Sequence, residues 1–280
     1  MPEIVDDKSE HCIPFIVEHI KQHRQQYEDR GESPTPFFVG LNGVQGAGKT
    51  TLRARNPGPV ALGQPTCSTP RPAINPRRRT WCAAIRRSCE ERDEYQASKL
   101  RQIRLLRLWR QATRKRVGAV NAEGKPAVEV IVFEGWCVGF RSLDDEEAER
   151  KWRAAKAEYE SKGAEYQGQL GKLQLQSVLF VNAKLREYDA LTDRFGAFVH
   201  IDAEDTQYVY AWRLEQEAAL RATRGTGMTE EQVVRFVNGY YPAYELYTDR
   251  LRNGIFGDEK DKQLRLVVGK DRKVKGVVKI

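Results

Sequence analysis

Residues 43–50, GVQGAGKT, have the composition and spacing of a phosphate-binding loop. Glycines at positions 43, 46 and 48 permit backbone N–H groups to turn inward around a phosphate. Lys49 would neutralise the β- and γ-phosphates of a nucleotide, and Thr50 would offer its hydroxyl to Mg²⁺. The pattern therefore predicts nucleotide-phosphate binding, and the alternative is a glycine-rich turn with a structural role only.

The segments on either side of this loop are those that phosphate binding requires. The apolar run PFFVGL (36–41) ends in glycines, as expected of a buried parallel strand. The residues after the loop, TTLRAR, are compatible with a helix, whose N-terminus adds a positive dipole end at the phosphate. A strand, a loop and a helix in this order favour the functional interpretation.

A second chemical group is predicted at the end of a neighbouring strand. The apolar run AVEVIVF (127–133) brings Glu134 to the carboxyl edge of the sheet. By itself, a glutamate there is most often an exposed charge, but beside a phosphate loop it can hold Mg²⁺ directly or through water. No N-K-x-D-like guanine motif follows, which disfavours a GTPase.

The rest of the chain alternates between helical and strand patterns. Such alternation, with buried strand runs, indicates an α/β fold with a mainly parallel sheet, here a three-layer P-loop NTPase fold. A capping box formed by Thr229 and Gln232 predicts the start of one helix. The other predicted helices cover 9–29, 144–162, 173–188 and 205–223, and further strands cover 197–202 and 263–268.

The positive charge of the chain, +8 overall, is concentrated in residues 53–117. This segment holds 17 Lys and Arg against four Asp and Glu, while the rest of the chain is net acidic. Its stretch 98–116 mixes arginines with leucines and a tryptophan, which leaves binding to nucleic acid or an anionic surface as a less favoured hypothesis. No apolar run reaches the roughly 18 residues of a membrane helix, and no apolar signal core is present, so a cytoplasmic location is expected.

Several blocks of the sequence resemble the D-glycerate 3-kinase family, including its fungal P-loop members. The resemblance covers about residues 30–52 and 119–280. It implies a uridine-kinase-like P-loop kinase that transfers the γ-phosphoryl group of ATP to a small hydroxyl substrate, with D-glycerate as the best candidate. The blocks are the phosphate loop, VFEGWCVGF, FVNAKLREYDAL, FVHIDAED, VYAWRLEQE, GTGMTEEQVVRFVNGYYPAYELY and QLRLVVGKDRKV.

The same resemblance implies the roles of individual residues. Lys49, Glu134 and Arg213 would be catalytic, and Thr50 with Glu134 would hold Mg²⁺. Arg213 would clamp the transferring phosphate, although an ion pair with Glu217 on the same helix explains it equally well. Tyr241, Pro242 and Tyr244 are expected to be core and helix-stop residues rather than ligands, and His200 to be a core or edge histidine. The residues expected to hold ATP and Mg²⁺ are Gly43, Val44, Gln45, Gly46, Ala47, Gly48, Lys49, Thr50 and Thr51.

Residues 53–117 depart from the family pattern, and motifs expected between the loop and Glu134 are absent. Codons permitted for residues 100–113, read one nucleotide later, encode YDKSAFSGYGDKR, which contains one missing family motif. This predicts a segment translated out of frame, an incomplete sheet, and an impaired kinase or a nucleotide-binding relative without turnover. The predicted single domain spans 1–280, with an N-terminal helix (1–30), a strand and loop (31–52), an aberrant basic insert (53–117), and a core with lid (118–280). Within the insert, residues 53–80 are expected to be coil and residues 82–117 a helix. The sequence does not define an oligomeric state.

Overall fold

The computed structural model describes residues 7–49, 61–62 and 129–280. Within them, one sheet of six strands has the spatial order β2-β3-β1-β4-β5-β6. The first five strands are parallel to one another, and β6 is antiparallel to β5. The strands are β1 Phe37–Gly43, β2 Ala61–Leu62, β3 Val130–Gly135, β4 Ala197–Ala203, β5 Gln263–Val268 and β6 Val274–Lys279.

Helices connect and flank these strands, which confirms the predicted α/β fold with a mainly parallel sheet. Another helix begins at Lys49, directly after the glycine-rich loop. The helices with both ends described are α1 Ser9–Glu28, α2 Asp145–Lys162, α3 Leu175–Leu185, α4 Asp189–Thr192, α5 Tyr208–Arg224, α6 Glu230–Asn238 and α7 Tyr241–Arg252. None of the described helices is long and apolar enough to cross a membrane.

The two central strands of the sheet, β1 and β4, are largely buried. All seven residues of β4 are buried, and β1 beside it is buried at five of its seven positions. Continuous apolar runs suit strands that are covered on both faces, whereas one-sided strands alternate. The loop that follows β1 therefore emerges from the buried centre of the sheet.

The boundaries of most elements agree with those predicted from the sequence patterns, and local sequence signals account for the agreement. The capping box is present, because the Thr229 hydroxyl accepts from the Gln232 amide and the Gln232 side chain accepts from the Thr229 amide. The predicted helix 173–188 is shorter, since α3 ends at Leu185 and a 3₁₀ turn covers Arg186–Tyr188. Pro242, predicted as a helix stop, instead lies in the first turn of α7, where its missing N–H costs nothing.

Two strands were not predicted. Residues 53–80 were expected to be coil, but Ala61–Leu62 form β2, which pairs with β3 at the edge of the sheet. The strand 263–268 was expected to be the last, but β6 follows it as the opposite edge. Lysines and a glycine in VKGVVK obscure the strand signal, and such residues are typical of an exposed edge. Apart from β2, the basic insert lies outside the described residues.

Candidate active site

The glycine-rich loop leaves the carboxyl end of β1 in a conformation that only glycine adopts easily. Gly46 and Gly48 have φ angles of +88° and +93°. A Cβ atom on Gly43 would lie 2.9 Å from the Cγ atom of Lys49, so this position also excludes a side chain. The backbone thus has the cradle shape predicted for phosphate binding.

Lys49 folds its side chain back over this cradle. Its Nζ donates to the carbonyl oxygens of Gly43 at 2.5 Å and Val44 at 3.2 Å. Burial lowers the pKa of Lys49 to about 8, and the nearby Glu134 carboxylate opposes this shift. Among the described residues, the ammonium of this partly buried side chain is held by loop carbonyls. It would gain much from anionic oxygens, so the arrangement fits a triphosphate.

Glu134 lies beside the loop, as predicted. Strands β1 and β3 are adjacent and parallel. In their register, Leu41 pairs with Glu134 and Asn42 pairs with Gly135, so Glu134 lies near the end of β1 from which the loop leaves. The Glu134 side chain is partly exposed, and within the described residues it makes no hydrogen bond or ion pair. Its charge nevertheless acts on Lys49. The structure therefore brings a cation and an available carboxylate together at one end of the sheet.

Two helices pack against the outside of the loop. Trp212 of α5 is so close that a Cβ atom on Gly46 would lie 2.5 Å from the Trp212 Cβ. Tyr244 of α7 is buried, as the sequence predicted, but its hydroxyl also accepts a hydrogen bond from the Gln45 amide at 3.3 Å. That contact was missed because tyrosine in an apolar helix gives no sign of which backbone group it meets.

Arg213 makes the ion pair that was the alternative to phosphate clamping. One terminal nitrogen lies 2.5 Å from Glu217 Oε1, and the other donates to Gln216 at 2.8 Å. The guanidinium also lies over the Phe236 ring, 5.4 Å from its centroid. Its Nε atom is buried and has no hydrogen-bond partner within the described residues. The phosphate-clamping role of Arg213 stays a prediction.

Arg272, which sequence reasoning missed, reaches the loop from the turn between β5 and β6. Its Nε donates to the Gly46 carbonyl at 2.8 Å, and its Nη2 lies 2.5 Å from Glu215 Oε2. The guanidinium also covers the Trp212 ring at 5.4 Å from the centroid. Its position 226 residues from Gly46 explains why no local motif identified it.

His200 is buried in β4, as predicted, but it is not fully paired. Its Nδ1 has no hydrogen-bond partner within the described part of the chain, and burial lowers its pKa to about 4. Asp202, two residues on, is fully buried between Arg252 and Arg265. Burial alone would raise the pKa of Asp202, but hydrogen bonds and charges from its neighbours bring it below the usual value.

Thr50 and Thr51, predicted to contact Mg²⁺ and ATP, lie outside the described residues. In the residues that the structure describes, no three His, Cys, Asp or Glu side chains form a metal-binding group. A magnesium ion bound with a nucleotide does not require such a group, since it needs one or two protein ligands besides phosphate oxygens and water. Glu134 together with a threonine hydroxyl fits this mode.

The chain is similar in sequence to known kinases. The chain is 26% identical over 306 aligned positions to the chloroplastic D-glycerate 3-kinase of Arabidopsis thaliana, covering 93% of the chain and 59% of that protein. It is 35% identical over 125 residues to an uncharacterised kinase, mug58, of Schizosaccharomyces pombe, covering 45% of the chain and 40% of that protein. The chain thus spans less than two thirds of these relatives. No protein-family profile matches it.

A solved structure gives the corresponding likeness in fold. The D-glycerate 3-kinase of Cryptococcus neoformans superposes with a TM-score of 0.69 at 21% identity, covering 99% of the chain and 100% of that structure. The predicted P-loop kinase fold and the resemblance to the D-glycerate 3-kinase family are therefore confirmed. The plant alignment has 306 positions against a chain of 280 residues, so that relative carries residues that this chain lacks.

Proposed function

We propose that this chain is a P-loop kinase that transfers the γ-phosphoryl group of ATP to a small hydroxyl acceptor, with D-glycerate as the best candidate. The observation that carries the proposal is the partly buried Lys49 inside a glycine cradle, with Glu134 beside it. The names of the relatives support the reaction class and the acceptor.

We assign each predicted site residue a role in this reaction. The amides of residues 43–51 and the Lys49 ammonium would bind the triphosphate, and the dipole of the helix that begins at Lys49 would add to the attraction. Glu134 and Thr50 would hold Mg²⁺, which shields the charge of the phosphates. Arg213 would stabilise charge on the transferring group, provided that phosphate oxygens replace Glu217 as its partner.

The acceptor side of the reaction depends on motifs missing from residues 53–117, so we expect this chain to be impaired. A relative that binds nucleotide without turnover is the alternative. Docking of residues 98–116 to nucleic acid or an anionic surface is less favoured, and a cytoplasmic location stays a prediction.

The test compares this chain with a version in which codons 53–117 are restored to the family frame. Nucleotide affinity is measured by calorimetry, and transfer from ATP to D-glycerate by a coupled assay with Mg²⁺. We expect both proteins to bind ATP and only the restored one to turn over efficiently. Lys49→Ala should abolish ATP binding, whereas Lys21→Ala on the exposed face of α1 should not change it.

The possible outcomes separate the parts of the proposal. If neither protein binds ATP, the kinase assignment is wrong. If both bind ATP but the restored protein phosphorylates no glycerate, the acceptor is wrong. A normal rate for the unrestored chain would show that residues 53–117 do not impair it.

A further inference from the structure

Arg272, in the turn between β5 and β6, makes a hydrogen bond to the phosphate loop. The Arg272 Nε donates to the Gly46 carbonyl at 2.8 Å. The peptide that this carbonyl belongs to also closes the loop, because the Ala47 amide donates to the Val44 carbonyl at 3.1 Å. One peptide group, between Gly46 and Ala47, therefore makes both hydrogen bonds. Its carbonyl accepts from Arg272, and its amide donates within the loop.

The Arg272 guanidinium is itself held in place. Glu215 binds Nη2 at 2.5 Å, and the Trp212 ring lies beneath the guanidinium. Trp212 is also the residue that closes the space beside Gly46. A guanidinium fixed by a carboxylate and an aromatic face loses little further freedom when it makes a third contact, which suits it to orient a backbone group.

The backbone of Arg272 is strained. Its φ angle is +64°, in the left-handed region that favours glycine, and the turn closes with a hydrogen bond from the Arg272 amide to the Gly269 carbonyl at 2.8 Å. Glycine would adopt this conformation more easily. A side chain kept at a strained position indicates that its contacts are needed.

The start of α1 supports this turn from the other end of the chain. The Lys8 ammonium donates to the Arg272 carbonyl at 2.6 Å, and Asp7 accepts from the Val274 amide at 2.7 Å. Lys8 is 5% exposed, so a charged group has been buried to make this contact. Burial tends to raise the pKa of Asp7, but the Val274 amide and Lys8 bring it below the usual value.

We infer that Arg272 is a positioning residue that holds the phosphate loop in its binding conformation, and that Asp7 and Lys8 hold the turn carrying it. The inference rests on the proposed nucleotide binding. A loop held in place before the ligand arrives loses less conformational freedom on binding, so affinity for phosphates should depend on Arg272.

The experiment uses the full chain with Arg272→Gly, a variant that removes the side chain and relieves the backbone strain. Because the strain is relieved, the melting temperature should stay within a few degrees of the unmutated value. The Kd for ATP and the Kd for inorganic triphosphate, both measured by calorimetry, should rise by a similar factor of roughly 10 to 100, the usual effect of losing a charge-assisted hydrogen bond. Lys8→Met should cause a smaller loss in the same direction.

Arg250→Ala is the matched control, since Arg250 also donates to a backbone carbonyl, that of Ser142, but not to the loop. It should leave both affinities unchanged. Unchanged affinities in Arg272→Gly would overturn the inference. A loss for ATP without a loss for triphosphate would also overturn it, because Arg272 would then contact the nucleoside. If the unmutated chain binds neither probe, the proposed function fails and the inference fails with it.

Discussion

Glu134 and Asp202 are each the penultimate residue of a strand that neighbours β1, and their surroundings are opposite. Each is a carboxylate at the carboxyl end of a parallel strand next to the loop-bearing strand. Glu134 is partly exposed and makes no hydrogen bond or ion pair in the described part of the chain. Asp202 is fully buried, and four hydrogen bonds reach its oxygens from the side chains of Arg252 and Arg265.

The difference shows that a strand-end carboxylate is not by itself a metal ligand. The two arginines neutralise Asp202 and occupy both of its oxygens, so it contributes to the stability of the fold. In the part of the chain that the structure describes, no partner occupies the oxygens of Glu134 beside Lys49, so it can bind a cation. Two substitutions and one change of pH test these roles of Asp202 and of the Glu134–Lys49 site, and they are given from the largest expected effect to the smallest.

Asp202→Asn should cost about 3 kcal/mol of unfolding free energy, because Arg252 and Arg265 lose the charge that compensates their partial burial. Urea unfolding followed by circular dichroism measures this. The control is Asp189→Asn, which weakens a more exposed ion pair with Arg141 and should cost less than about 1 kcal/mol. Equal losses in the two variants would contradict a structural role specific to Asp202.

Glu134→Gln should leave the unfolding free energy nearly unchanged but weaken binding of Mg²⁺–ATP by roughly 10- to 100-fold, as loss of a metal-orienting group does. In EDTA, ATP alone should bind no more weakly than to the unmutated chain, because a negative charge beside the phosphates has been removed. Calorimetry in both buffers gives the comparison. Equal weakening with and without Mg²⁺ would assign Glu134 to the loop rather than to the metal.

Raising the pH above 8 should weaken ATP binding by up to about tenfold per pH unit, because Lys49 in the unliganded protein loses its proton near a pKa of about 8. Binding restores the charged form that the phosphates favour, so a proton is taken up above this pH. Calorimetry in buffers of different ionisation enthalpy counts that proton. Lys49→Arg should show no such uptake, and an affinity independent of pH from 7 to 9.5 in the unmutated chain would contradict the assignment.

Much of this site was predictable because its signals are local. The glycines, Lys49 and the apolar strand before them are consecutive, and their backbone requirements are visible in residue type alone. Glu134 could be placed because parallel strands end at the same edge of a sheet. The Arg213–Glu217 pair followed from helical spacing, but spacing could not decide whether phosphate would replace Glu217 as the partner of Arg213.

The missed features depend on residues far apart in the chain. β6 was missed because an edge strand with lysines and a glycine lacks an apolar pattern, and the Tyr244 contact because burial alone does not indicate a hydrogen-bond partner. The motif by itself determined the phosphate loop, since its conformation follows from glycines and a strand within ten residues. Only the tertiary structure decided that Arg272, Trp212 and Lys8 support it, because packing of the sheet brings together residues that no sequence period relates.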